Sequence, residues 1–399
     1  MSFAAHPGRW SYLSVASLIL VICLTPGPAS AWQILTAMTD PCHEQMSFSA
    51  VPGITGSVFP GESAVYSGSA LFPPSDVPYD GVVSGIAELI AGDIGVEFDS
   101  YPAELAALSL FVGSRYPDVM EGSAYDFFVM RPLMLTDAHE DSHCLRRSWD
   151  DGRDGDVTAL DACRNLIGTQ LRIAIESARL GLEQRFVRHT VSIDFYGTVD
   201  VMLYEPTYRL GRALHTFEDS FSHTLRTDDL VQVVSVMNSI DAVSGDFDED
   251  RDGLAHSLAM DRCMDDASGI APVAAGAVRE LVTATAVATN PGGVDEIEQV
   301  LDRWLTLKPG CDRGMTIVTR NGSRLPGATR MNRLYPWSLV AVRTSPRSCA
   351  RGCCSSCSCR WASPASGGRS ERFWSGGVDP GRHDRFFCLW DGSRRGSAR

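Results

Sequence analysis

Gly211-Arg212-Ala213-Leu214-His215-Thr216-Phe217-Glu218-Asp219-Ser220-Phe221-Ser222-His223 constrains this chain more than any other stretch. Its helical pattern puts His215, Asp219 and His223 one turn apart on a single face. Residues four apart stack above one another on a helix, so two imidazoles and a carboxylate project toward one point. Imidazole nitrogen with carboxylate oxygen suits Zn²⁺ or a similar divalent metal. The plainer alternative is an exposed polar helix face that binds nothing.

The ends of the chain differ from its body. Residues 1–31 have the form of a secretory signal: Arg9, an apolar run from Leu13 to Leu24, then Pro26 and Pro28 ahead of Ala29-Ser30-Ala31. That run is short for a membrane span. Cleavage after Ala31 leaves Trp32 as the amino terminus of an exported, secreted or periplasmic protein, and no transmembrane segment is expected after signal removal. Residues 320–399 lose helical periodicity and carry 15 arginines against 4 acidic residues, with Cys349, Cys353, Cys354, Cys357, Cys359 and Cys388. Cys354-Ser-Ser-Cys357 lacks the second spaced pair of a zinc knuckle. The expectation for this tail is disorder, or translation of a GC-rich gene in the wrong frame. One lysine, Lys308, among 35 basic residues fits such a source.

Residues 32–319 read as one helical domain. Helices are expected near 82–95, 102–113, 156–189, 206–225, 229–243, 254–264, 271–288 and 294–307, with a strand allowed within 191–203. Residues 50–80, rich in Gly, Pro and Ser, read as loop. The expected class is an all-α multi-helix bundle. Cys42, Cys144, Cys163, Cys263 and Cys311 allow two disulfides with one left over, and Cys144–Cys163 is the plausible local bridge. The acidic body argues against a stable nucleic-acid partner held by electrostatics alone.

The body holds seven histidines: His43, His139, His143, His189, His215, His223 and His256. Two further segments fit the helix motif: Gly113-Ser114-Arg115-Tyr116-Pro117-Asp118, and the Trp32 terminus with His43 about a dozen residues on. Together, over about 32–265, they resemble the zinc-dependent phospholipase C family, which includes the bacterial alpha-toxins, and its relatives the zinc single-strand nucleases. In that family an N-terminal tryptophan binds zinc through its amine and carbonyl. A Tyr-Pro-Asp segment supplies a ligand and candidate base, and a Leu-Gly-x-x-x-His-Tyr-x-Gly-Asp helix supplies the central ligands.

The resemblance implies two or three zinc ions. One would be held by Asp118, His139 or His143, His215 and Asp219, a second by Trp32, His43 and the other oxygen of Asp219, and a third by His223, His256 and Asp261. Asp118 is the implied catalytic residue, orienting or deprotonating water. The implied activity is hydrolysis of a phospholipid or other phosphodiester substrate by metal-activated water. Single-stranded nucleic acid is the alternative substrate, and a non-catalytic exported metal- or calcium-binding protein the alternative of another class. The chain departs from the family pattern in four places, the first being that His139 and His143 both lie further from Asp118 than the family's ligand does. His223 follows His215 by eight residues rather than ten, Glu218 replaces the glycine before the metal aspartate, and Met260 stands where a glutamate closes the family's last pair. The tail lacks the alternating strands of the alpha-toxins' separate membrane-docking β-domain, so calcium-driven docking on membranes is not implied.

Asp246, Asp248, Asp250 and Asp252 alternate ahead of Gly253, the pattern of a calcium loop, since hard cations prefer several oxygens at a turn. Position twelve counted from Asp248 is Ala259, so the bidentate glutamate is missing and a solvated acidic turn is the competing reading. Asp156 is expected to cap the helix that follows it.

Overall fold

In a computed structural model of the chain, the described residues are 40–309 except 60, 62–67, 124–132, 134–135, 194–195, 242–246, 257–262, 264–268 and 291–292, together with 315–317 and 342–344. The readings made for the signal segment 1–31, for Trp32, and for nearly all of the tail lie outside them.

Three helices form the centre. α3 (Tyr101–Val119) and α4 (Gly152–Ala178) both pack on α5 (Glu205–Ser222). The face α4 turns inward is Ala159, Leu160, Cys163, Ile167, Leu171, Ala174 and Ile175, an i, i+3/i+4 stripe that α5 covers. α5 is buried over most of its length, from Glu205 to Ser222. It therefore runs through the core, and its polar side chains have to find partners there.

The closest approach is between α3 and α5, and glycines make it possible. A Cβ on Gly113 would overlap the carbonyl oxygen of Tyr208, and one on Gly211 would lie 2.5 Å from the carbonyl oxygen of Leu110. With no side chain at either position the two backbones meet, and Asp118 in the last turn of α3 is carried alongside α5.

Around this centre lie α1 (Cys42–Phe48), α2 (Gly81–Ile94), α7 (Ile270–Ala288) and α8 (Val294–Trp304). α2 is capped at its start by Asp80, whose side chain accepts from the Val82 amide, and ends on left-handed Gly95. α1 is wholly buried and tied to a distant part of the chain by a Cys42–Cys263 disulfide. α7 is long and apolar enough to cross a membrane by composition, but it packs on α5 and α8 and buries Ala274, Val278, Leu281 and Val282 in the core.

The all-α expectation is overturned. Among the described residues helix makes up 55% and strand 14%, a mixed content that is not plainly all-α. β1 (Ile54–Thr55) pairs with β2 (Glu97–Phe98), and β3 (Phe186–Ile193) with β4 (Gly197–Tyr204) in an antiparallel hairpin. β5 (Thr224–Arg226), β6 (Val233–Asn238) and β7 (Leu254–Ala255) form a further sheet, β6 pairing antiparallel with β5 and parallel with β7. β8 (Met315–Ile317) pairs with β9 (Val342–Thr344). The expected helix over 229–243 is thus a strand in its centre. Val233, Val236 and Met237 are all buried, so a strand covered on both faces shows no alternation that would separate it from a helix. The expected helix over 254–264 begins instead as β7, which directly follows a one-turn α6 (Glu249–Asp252). The helix expected over 156–189 stops at Ala178, after which Leu180 is exposed and the chain enters β3.

Asp156 does not cap α4. The helix starts at Gly152, and the buried Asp156 carboxylate instead takes hydrogen bonds from Arg146, the Ser235 hydroxyl and the Val236 amide, clamping α4 to β6. The Cys144–Cys163 disulfide joins α4 to the 3-10 turn Glu140–His143.

Candidate metal centre

α5 delivers His215 and Asp219 to the core, both fully buried. Three other elements bring partners to the same point. α1 supplies His43, the end of α3 supplies Asp118, and the 3-10 turn supplies His143, held by the Cys144–Cys163 bridge beside it.

Asp219 is the hub. Its Oδ2 lies 3.0 Å from His143 Nδ1 and 3.1 Å from His215 Nε2, while its Oδ1 lies 3.2 Å from His43 Nε2. His143 Nδ1 and His215 Nε2 are 3.4 Å apart. These three donors therefore form a nearly equilateral triangle. Ligands about 2.0–2.1 Å from a tetrahedral zinc are separated by about 3.3 Å, so the triangle has the dimensions of one face of such a site. Asp118 stands on a further side, with Oδ1 3.9 Å from His143 Nδ1 and Oδ2 4.0 Å from His215 Nδ1. The His43 and His215 rings stack at 4.1 Å.

The donor chemistry fits a divalent cation. Asp118 Oδ1 and Asp219 Oδ1 are buried without a hydrogen-bond partner. Leaving such groups unsatisfied is costly, and a cation among them removes the cost. His43, His215 and Asp219 form one group that could hold a metal ion, and Asp118, His143 and His215 form another. The two oxygens of Asp219 face different imidazoles, as a carboxylate bridging two cations requires.

Electrostatics follow from this crowding. Burial opposes charge on His43, but Asp219 and Glu218 outweigh it and hold its pKa well above the ordinary value. His143 is raised in the same way by Asp219 and Asp118 against burial. His215 is lowered, by burial and by neighbouring His43. Burial pushes Asp219 upward, yet the surrounding histidines hold it well below the usual carboxylate range.

His223 and His256 form a second pair beside the first group, with ring centroids 4.7 Å apart. The sheet places them: the carbonyl of His223 accepts from the Met237 amide, and the His256 amide donates to Asn238, so β6 lies between the two backbones. His223 Nδ1 meets the carbonyl oxygen of His143, linking the two groups. Asp261, the expected third partner, lies outside the described residues. His139 does not join either group; it is only partly buried and leads into the 3-10 turn that carries His143.

Two carboxylates enter that the motif reading did not use. Glu218 is fully buried, with Oε2 2.7 Å from His43 Nδ1 and Oε1 accepting from the Ser47 hydroxyl at 2.8 Å. Glu140 is buried between His143 and His223, and burial lifts its pKa to about 8. Its signal in the sequence was its place between His139 and His143.

The acidic loop is put to local use. Asp248 Oδ1 accepts from the Arg251 amide, and Asp252 Oδ2 accepts from the Asp248 amide at 2.7 Å and from Arg251 Nη2 at 2.8 Å. These bonds describe a capped helical turn. Asp246 and the side chain of Asp250 lie outside the described residues.

No family model matches the chain, and no curated protein and no solved structure matches it significantly.

Proposed function

We propose that the protein is a zinc-dependent phosphodiester hydrolase of the phospholipase C type. The observation that carries this reading is the triangle of His143 Nδ1, His215 Nε2 and Asp219 Oδ2, with His43 on the second oxygen of Asp219. Asp118, His143, His215 and Asp219 would hold one cation, and His43 with Asp219 a second, to which the resemblance adds Trp32. A cation bound there lowers the pKa of water and offsets charge developing on a phosphoryl group.

The chain's own residues do the rest. Asp118 Oδ1, buried and without a hydrogen-bond partner, would accept a proton from an attacking water. His143 and His215 lie against Oδ2 of Asp219 and His43 against Oδ1, which orients both oxygens away from solvent. Walls of buried apolar residues on α3 and α5 keep the local dielectric low, which strengthens each of these interactions. Two disulfides, Cys42–Cys263 and Cys144–Cys163, support an exported protein in an oxidising compartment.

The test is zinc content by mass spectrometry, followed by hydrolysis assays on phosphatidylcholine and on single-stranded DNA. Two or three zinc ions per chain with turnover of phosphatidylcholine support the reading. Turnover of DNA alone moves the substrate to the nuclease alternative, and absence of zinc overturns the proposal.

A further inference from the structure

Glu218 has no part in the reaction just described. Its carboxyl side chain is 0% exposed, one residue before the hub Asp219. Taking a carboxylate out of water costs several kcal/mol even after relaxation. Joining α1 to α5 does not require that cost, because apolar contacts between two buried helices would serve. Something specific is gained by placing a carboxyl group there.

Its partners indicate what. Both oxygens are engaged by α1: Oε2 with His43 Nδ1 at 2.7 Å, Oε1 with the Ser47 hydroxyl at 2.8 Å. His43 and Ser47 are one helical turn apart, so Glu218 grips a single face of α1. The other ring nitrogen of His43 is 3.2 Å from Asp219 Oδ1. The imidazole is thus held between two consecutive side chains of α5, one on each nitrogen. A histidine ligand needs one nitrogen protonated and held so that the other offers its lone pair, and a carboxylate on the far nitrogen both fixes the ring and strengthens it as a donor.

We infer that Glu218 is the positioning residue of the centre: it keeps the proton on His43 Nδ1 and presents Nε2 to a divalent cation shared with Asp219. The inference rests on the cation reading above. It gives the two halves of the centre different character. The His43 half carries a carboxylate behind its histidine, whereas His143 and His215 share theirs with the cation position itself. Ser47 completes the arrangement by satisfying the oxygen of Glu218 that His43 does not use.

The experiment compares the full chain with Glu218→Ala and with the near-isosteric Glu218→Gln, which guards against loss of folding in the first. Zinc affinity is measured by calorimetry, thermal melting is followed in parallel, and the imidazole ¹⁵N–¹H signals of His43 are recorded with and without zinc. Loss of a partner of this kind weakens metal binding by about 10–100-fold. Glu218→Ala is expected in that range and Glu218→Gln between it and the parent. A protected Nδ1–H signal from His43 is expected in the zinc-loaded parent. Zinc binding equal in all three proteins, or His43 coordinating through Nδ1, overturns the inference and leaves the cation reading intact. No zinc binding by the parent overturns the cation reading, and this inference with it.

Discussion

Gly113 and Gly211 meet where α3 crosses α5: a methyl group on Gly211 would come within 3.1 Å of the Gly113 Cα and 2.9 Å of the Ser114 amide nitrogen. The contact is backbone against backbone, so no side chain can move aside. Gly211→Ala is expected to force the helices apart and to destabilise by about 1–3 kcal/mol, the usual cost of overpacking. Because Asp118 rides on α3, zinc affinity should fall together with the melting temperature. A melt unchanged from the parent would mean the helices do not touch here.

Asp219→Asn keeps the shape of the hub and removes its charge. Breaking a buried ion pair by removing one partner costs about 3–5 kcal/mol, and here three imidazoles lose the same partner. The expected outcome is a lower melting temperature in metal-free protein and zinc loss greater than for any single histidine variant. Calorimetric titration of the variant beside His43→Ala and His143→Ala checks this.

The pH dependence has a defined direction above pH 6.5. Burial raises Glu140 to about 8 and Glu218 to about 7 from an ordinary 4.5, and neighbouring carboxylates raise His43 and His143. For each, the folded protein binds a proton the unfolded chain has released. Such stability is complete below the unfolded pKa and is lost as pH rises through the folded one. His215 runs the other way, because its folded pKa is lowered, but its contribution is complete once pH passes the unfolded value of 6.5. Chelator-treated protein is therefore expected to lose melting temperature between about pH 6.5 and 8, and Glu140→Gln to flatten that loss. Melts across this range decide it; a rising curve would contradict the buried-carboxylate assignment.

Replacing Cys42 and Cys263 by serine is expected to cost about 2–5 kcal/mol, as for removal of other native disulfides. The specific effect should fall on α1. Zinc held through His43 should be lost more readily than zinc held through His143 and His215, which metal competition with a chelator would resolve.

Much of this arrangement was legible in the chain because helices announce themselves by period. The stripe of Leu160, Cys163, Ile167, Leu171 and Ile175 pointed to α4, and the spacing of His215 and Asp219 pointed to a shared direction on α5. β6 was misread because Val233–Asn238 is a short, covered strand whose apolar run has no distinguishing rhythm. What α5 meets was beyond any local pattern. Glu218 and His43 are 175 residues apart, and nothing near either one records that the other will be its partner. The choice between His139 and His143 was left open by sequence for the same reason: four residues apart on an irregular turn, they diverge only once the turn is pinned by Cys144.

The Cys42–Cys263 bridge closes over 221 residues of sequence. A ribosome adds about 5–20 residues per second, so His43 is synthesised roughly 10–45 s before the cysteine that secures its helix exists. During that interval the centre is incomplete by construction, whatever metal is present. The oxidant that joins the two thiols thus acts as a timer, and the last act of assembly waits for it rather than for the ribosome.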